Sequence, residues 1–270
     1  MLAVPAALFL AVFFAYPVGK LLALSFRDSG EFSLQNFRWL FENPAYMRVL
    51  ARTFWVAAAV TAICVLLAYP YAYLMTLAGK YWRVVLLLCV LIPFWTSLMV
   101  RNFAWLVILG SNGPLDSITG WLGLGRPAFL GSATGVMIAM AQILLPFMVL
   151  PLYATLRGID TSLLAAAASL GARPSIAFFR VYLPLSIPGV MAGSLLVFVL
   201  SLGFYLTPAI IGSPQNSLLS QLMVIQIDRL LAWGHAGALA FILMIITVAL
   251  ITLAALVGSQ STALKHTTDS

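Results

Sequence analysis

Ionisable side chains are what this sequence has least of. Aspartate, glutamate, lysine and arginine make up 8% of its 270 residues, against roughly 25% in an ordinary soluble domain. All seven carboxylates, Asp28, Glu31, Glu42, Asp116, Asp160, Asp228 and Asp269, fall outside the long apolar runs. No apolar run therefore holds a carboxylate pair for acid–base work. The two histidines, His235 and His266, are too far apart to read as a ligand pair. The two cysteines, Cys64 and Cys89, lie inside apolar runs and read as buried core residues, not as a disulfide or a metal site. A glycine-rich phosphate loop ending in Lys-Ser/Thr is missing too, so ATP hydrolysis, if used, belongs to another chain. Intramembrane hydrolysis needs paired acids, a metal or an activated nucleophile, and the sequence offers none. A proton-coupled carrier would carry ionisable groups in mid-span, and this chain barely does.

Apolar residues fill the space that charge leaves. The chain is 63% hydrophobic with a mean hydropathy of +1.07, which places it in the membrane before any motif is considered. Six apolar runs, about 2–24, 53–77, 84–109, 132–156, 185–211 and 235–257, predict an all-α membrane protein of six transmembrane helices in one transmembrane domain. The formal charge of +7 is spread over short loops beside those runs. It reads as membrane flanks facing lipid headgroups, not as a nucleic-acid footprint. The N-terminal run lacks a basic leader and is too long for a signal peptide, so a retained first span is expected.

The loops differ in character. Residues 25–52 are polar and aromatic and read as a turn at Asn43-Pro44 with short interfacial helices. The stretch FYLTPAIIGSPQNSLLSQLM at the end of the fifth run reads as a loop with Gln226, Asp228 and Arg229, and the tail 259–270 as polar and mobile. The third run strains the simple picture. Pro93 bends or breaks it, and Arg101 sits where a mid-bilayer charge costs a few kcal/mol, so Arg101 lies at an interface or faces an aqueous path. Polar and aromatic residues gather beside Pro93 (Trp95, Thr96, Ser97, Asn102, Trp105) and beside Pro208 (Tyr205, Thr207). Trp and Tyr there fit an interfacial belt as well as a solute path.

The segment 157–184 is built differently from the runs on either side. Asp160, Thr161 and Ser162 offer an N-cap, the residues from Leu163 to Leu170 are strong helix formers, and Gly171 is placed to end the helix. Pro174 can open a second short helix whose end or kink falls at Leu183-Pro184, and Arg157, Arg173 and Arg180 punctuate the whole. An ordinary connecting loop is one reading. The other is a docking element, because an alanine-rich helix lets a partner surface approach closely.

The spacing Ala165, Ala166, Ala167, then Gly171, then Val181, Leu183 and Pro184 resembles the EAA loop of permease subunits in bacterial binding-protein-dependent ABC importers. Ala165 stands where that family carries an acid. The stretches PFWTSLMVRNFAW, LGSNGPL and GFYLTPAIIGSPQN are similar to the spermidine/putrescine-type members. The resemblance implies a type I ABC importer permease fold of six spans in the bacterial inner (plasma) membrane. It implies a second permease subunit, two ATPase subunits that bind ATP and Mg, and a periplasmic or surface solute-binding protein, with no cofactor in this chain. It makes 157–184 the cytoplasmic coupling loop, with Ala165, Ala166, Ala167, Gly171, Val181, Leu183 and Pro184 serving ATPase coupling. It places Trp95, Thr96, Ser97, Arg101, Tyr205 and Thr207 near the solute path or its outer gate.

Orientation from basic residues is nearly balanced. Lys80, Arg83, Arg157, Arg173, Arg180 and Lys265 fall on one side; Arg27, Arg38, Arg48, Arg52, Arg126 and Arg229 fall on the other. The first set sits in shorter loops and the resemblance settles the choice, giving cytoplasmic termini. A polyamine is the leading solute, with an opine or another small amino-acid-like solute as the alternative, since Arg101 near a path suits an anion or zwitterion. An ATP-independent channel or facilitator is a further alternative.

Overall fold

The computed structural model describes residues 3–28, 31–123, 125, 127–160 and 162–266. In chain order it contains α1 (Ala3–Leu10), a π turn (Ala11–Ala15), α2 (Tyr16–Ser25), a two-stranded antiparallel hairpin of β1 (Arg27–Asp28) and β2 (Glu31–Phe32), and α3 (Gln35–Glu42). Then come α4 (Pro44–Leu77), α5 (Lys80–Trp95), α6 (Leu98–Leu109), α7 (Pro114–Trp121), α8 (Ala133–Arg157), α9 (Ser162–Ser169) and α10 (Pro174–Ala177). A second π turn (Phe178–Tyr182) leads into α11 (Leu183–Leu202), followed by α12 (Leu206–Ile211), a 3₁₀ turn (Pro214–Asn216), α13 (Leu219–Asp228) and α14 (Trp233–His266). Among the described residues, five helical stretches are long and apolar enough to cross a membrane, and six if the bent pair α5 and α6–α7 is one broken span.

Several boundaries differ from those read off the sequence. Helix α4 begins at Pro44, well before residue 53. Its polar first turns are held by packing: Tyr46, Val49 and Leu50 lie against buried Leu40, Leu219 and Leu239. The third run is not one span over 84–109. It breaks at Thr96–Ser97, where helix direction changes by 99°. The fifth helix starts at Pro174, stops at Gly203 and resumes as α12, so 185–211 is not one span either. Residues 219–228 form a helix where a loop was expected, and α14 carries its backbone helix to His266, past the expected end at 257. Residues 267–270 of the expected mobile tail lie outside the described residues. Cys64 is buried, its thiol 3.4 Å from the Ala141 carbonyl, but Cys89 is exposed, beside exposed Leu88 and Ile92 on the outward face of α5.

Both π turns end two residues before a proline. Tyr16 N–H reaches the Ala11 carbonyl ahead of Pro17, and Leu183 N–H reaches the Phe178 carbonyl ahead of Pro184. Proline supplies no N–H and its ring crowds the carbonyl four residues back. Widening the preceding turn moves that carbonyl aside, so the helix passes the proline without ending. Leu183-Pro184 is therefore neither the end of a short helix nor a break.

The chain forms two compact units. One comprises residues up to Phe54 with Pro214–Thr252. Within it Trp39 stacks on His235, with ring centroids 3.8 Å apart and planes 2° from parallel. Thr53 Oγ1 donates to the Val49 carbonyl at 2.9 Å and accepts from Leu219 N–H at 2.9 Å, while Arg52 donates to the Gln215 carbonyl.

The other unit comprises Trp55–Ser213 with the residues from Leu253 onward. At its centre stands α8, with 61% of its apolar window buried against 33% or less for the other candidate spans. Val60, Cys64, Ala68, Ala72 and Met75 form the buried stripe of α4, at the three- and four-residue spacing of one helix face. Helix α11 lies close along α8. A methyl group at Gly189 would stand 2.6 Å from Thr155 Cβ, and one at Gly193 2.6 Å from Met148 Sδ and 3.2 Å from its carbonyl oxygen. Small residues at such positions let two helix backbones approach where lipid gives no hydrophobic drive to associate. Outward faces carry exposed Trp55, Leu66, Leu74 and Leu77, which suits a lipid surround.

Candidate coupling segment and solute path

The segment after α8 is a capped, solvent-facing helix. Helix α8 ends at Arg157, with Gly158 N–H bonded to the Thr155 carbonyl at 3.0 Å. The Asp160 carboxylate accepts the Ser162 N–H at 2.9 Å, closing the N-terminus of α9. Hydrogen bonds from Ser162 hold its pKa below the ordinary carboxylate range, because the charged form is the better acceptor. Thr161 lies outside the described residues.

At the other end Ala172 N–H bonds the Ala167 carbonyl at 3.0 Å and Gly171 N–H bonds the Ala168 carbonyl at 2.9 Å. This is a Schellman closure, and it needs Gly171 at φ +82°, the left-handed region where a side chain is strained. No residue of α9 is buried, and Leu170 just beyond it is 89% exposed. Ala165, Ala166 and Ala167 lie within this helix, Gly171 at its stop, Val181 in the second π turn, and Leu183 and Pro184 at the start of α11.

What joins α9 to the membrane helices was not legible in the sequence. Helix α9 packs against α10 and the second π turn. Phe178 and Tyr182 of that turn meet Tyr69 and Tyr73 of α4 edge to face: centroids lie 6.2 Å apart for Tyr69–Phe178, 5.5 Å for Tyr73–Phe178 and 5.3 Å for Tyr73–Tyr182. Below them Tyr69 Oη and buried Ser186 Oγ are 3.0 Å apart, and Ser186 Oγ also donates to the Leu183 carbonyl at 2.6 Å. The turn is continuous into α11 and α11 lies tight on α8, so α9 is linked by packing to helices α4, α8 and α11. Aromatic pairs of this kind add about 0.5–1.5 kcal/mol each beyond their burial.

The residues expected near a path occupy two breaks in the helices. Trp95, Thr96 and Ser97 form the exposed corner between α5 and α6, where Thr96 Oγ1 bonds the Pro93 carbonyl at 2.7 Å. Arg101 is half-buried on α6, with its Nε buried and without a hydrogen-bond partner. Tyr205 is partly exposed at the start of α12, and Thr207 within α12 is fully buried with its hydroxyl unpartnered. Helix α12 packs against α6 and α8, so these elements are brought together. Exposed Trp95 stands at the corner alone. Two polar groups join this region: buried Asn102, whose Nδ2 bonds the Leu98 carbonyl at 2.8 Å and whose Oδ1 has no partner, and half-buried Gln142 of α8, which accepts from Trp105 Nε1 at 3.2 Å. Unpaired buried polar atoms cost about 1–3 kcal/mol each. Among the described residues, no group of three His, Cys, Asp or Glu side chains is arranged to hold a metal.

Residues 68–258 match the model of the binding-protein-dependent transport system inner membrane component. The spermidine/putrescine transport system permease protein PotB of Haemophilus influenzae is 34% identical over 253 residues, 90% of this chain and 87% of that protein. PotB of Escherichia coli K12 is 32% identical over 217 residues, 80% of this chain and 78% of that protein. Among solved structures, a bacterial alginate ABC transporter in complex with an alginate pentasaccharide-bound periplasmic protein matches with a TM-score of 0.73 at 17% identity, covering 94% of this chain and 91% of that one. The fold is that of an ABC importer permease. The chain belongs to the inner membrane component family of binding-protein-dependent transport systems, as a multi-pass permease subunit of an ABC importer and a transport component, not an enzyme.

Proposed function

We propose that this chain pairs with a second permease to enclose the path of a polyamine such as spermidine or putrescine. Import is driven by two separate ATPase subunits that bind ATP and Mg and dock on α9. A solute-binding protein delivers the solute on the opposite side of the membrane, and both termini share the ATPase side. The observation that carries the proposal is the solvent-facing α9, thin in side chains, capped at both ends, packed on the π turn that runs into α11 and is joined by an aromatic cluster to α4. ATP-driven closure of the ATPase pair moves α9, and the helices broken at Thr96–Ser97 and Gly203 swing to admit solute. Ala165, Ala166, Ala167 and Gly171 shape the docking surface, while Val181, Leu183 and Pro184 carry its motion into α11. Trp95, Thr96, Ser97, Arg101, Tyr205 and Thr207 line the path or its gate. The polyamine assignment leans on the PotB relatives and on aromatic faces, which hold ammonium groups at about 0.5–2 kcal/mol each.

Arg101 favours a second reading, an anionic or zwitterionic solute such as an opine, because its Nε is buried without a partner. Reconstitution of the permease pair, ATPase and binding protein in proteoliposomes separates the two. ATP-dependent uptake of spermidine or putrescine, absent for an opine, supports the polyamine; the reverse pattern overturns it. Uptake by the permease pair alone, without any ATPase, overturns the coupled mechanism.

A further inference from the structure

We infer that α9 is recognised through an apolar centre ringed by arginines, so that the ATPase groove receiving it carries an acidic rim. The inference rests on the docking reading above and adds the chemistry of the partner. The one acid within residues 157–184 is Asp160, and its carboxylate is engaged by Ser162 N–H. Ala165 stands where an acidic contact to the partner would arise, so the one negative charge on this segment is that of the Asp160 cap. Arg157, Arg173 and Arg180 are all exposed, and none of their guanidinium groups makes a hydrogen bond or ion pair with a described residue. Arg157 closes α8, Arg173 is the N-cap of α10, and Arg180 lies in the second π turn. Since α9 packs on α10 and that turn, Arg173 and Arg180 flank it.

Along the chain between and beside these arginines, exposed apolar side chains are Leu163 at 45%, Leu170 at 89%, Ile176 at 43% and Phe179 at 64%. Exposed apolar side chains in a charged ring have the layout of an interface with a dry core and a polar rim. Free guanidinium forks at the rim pair bidentately with carboxylates and also steer the encounter. Anionic phosphate headgroups offer the same charge, but the run Ala165–Ala168 favours a protein groove. A thin helix lets a shaped surface reach its backbone, an advantage that a fluid headgroup layer does not use.

The test uses the assembled permease–ATPase complex in lipid nanodiscs, read as retention of the ATPase against rising salt. The double variant Arg173→Glu/Arg180→Glu should bind the ATPase ~10-fold or more weakly, and the neutral pair Arg173→Gln/Arg180→Gln should fall between it and wild type with a flatter salt dependence. These effects should be equal in phosphatidylcholine discs and in discs containing phosphatidylglycerol. Wild-type retention in the glutamate double variant overturns the inference, as does a loss confined to the anionic discs, which would assign the arginines to lipid. Leu170→Asp separates the two levels of the argument. If it releases the ATPase while the arginine variants do not, the rim chemistry is wrong and the docking stands; if neither releases it, the docking reading falls.

Discussion

Replacing Gly171 tests whether α9 works as a shaped helix. The glycine holds φ +82° and closes the helix through two hydrogen bonds, yet a methyl group added there would meet nothing within 4 Å. The cost of substitution is therefore conformational, not a clash within this chain. An L-residue in the left-handed region costs about 1–2 kcal/mol, asparagine less, and a β-branched residue more. Helix α9 has eight residues, far below the ~12–15 at which an isolated helix becomes even marginal, so it cannot absorb the loss of its stop. At about 1.4 kcal/mol per factor of ten, Gly171→Val should reduce correctly closed α9, and with it ATP-driven uptake, by about tenfold or more. Gly171→Ala should lie between, and Gly171→Asn nearest to wild type. Uptake of labelled solute into proteoliposomes, normalised to the permease in the membrane, reads the series. Asparagine is bulkier than alanine, so a ranking by volume, with alanine above asparagine, would refute the conformational argument. Normal uptake in Gly171→Val would refute it outright.

Thr53→Val removes the acceptor of buried Leu219 N–H and should cost about 1–3 kcal/mol; an unchanged thermal midpoint in detergent would contradict the clamp. Gly193→Ala places a methyl against the Met148 carbonyl and sulfur, which predicts about 1–3 kcal/mol of overpacking in the same assay, and no loss would mean the two helices are free to separate. Tyr69→Phe loses one hydrogen bond, but Ser186 keeps its bond to the Leu183 carbonyl, so about 0.5–1.5 kcal/mol is expected, at the low end. The Asp160 cap sets a pH dependence. Its folded pKa is depressed, so its contribution is full above the unfolded carboxylate pKa of about 3.9 and is lost only as pH falls through the lower folded value. Coupled transport should be flat in pH through the neutral and mildly acidic range on this account, and Asp160→Asn, which keeps an acceptor, should outperform Asp160→Ala; equal performance would sink the cap.

Local chemistry explains which features the sequence made legible. The start and stop of α9 were readable because a capping carboxylate and a left-handed glycine act within a few residues of themselves. Arg101 and Pro93 likewise flagged a disturbed third span. The sequence misplaced the N-terminus of α4 because Arg48 and Arg52 look like loop residues until Leu40 and Leu219 are brought to Val49 and Leu50 and the Gln215 carbonyl to Arg52. Pro184 misled because proline normally stops a helix, and the π turn that carries the chain past it leaves no compositional trace. The aromatic cluster of Tyr69, Tyr73, Phe178 and Tyr182 was invisible, since its two halves lie more than a hundred residues apart in sequence and their meeting depends on how the π turn before α11 packs on α4. Cys89 looked buried because apolar composition does not separate a helix face turned to neighbours from one turned to lipid.

The central claim is that α9 is the place where a separate ATPase grips the permease. Site-directed cross-linking tests it most directly: Ala168→Cys in a chain with Cys64 and Cys89 replaced, assembled with its partners and treated with a short bifunctional maleimide, with and without ATP. The account predicts a permease–ATPase adduct from this exposed position, changing in yield with nucleotide. Failure to capture the ATPase, together with labelling of the same cysteine by an impermeant reagent from the outer face of intact cells, would contradict it.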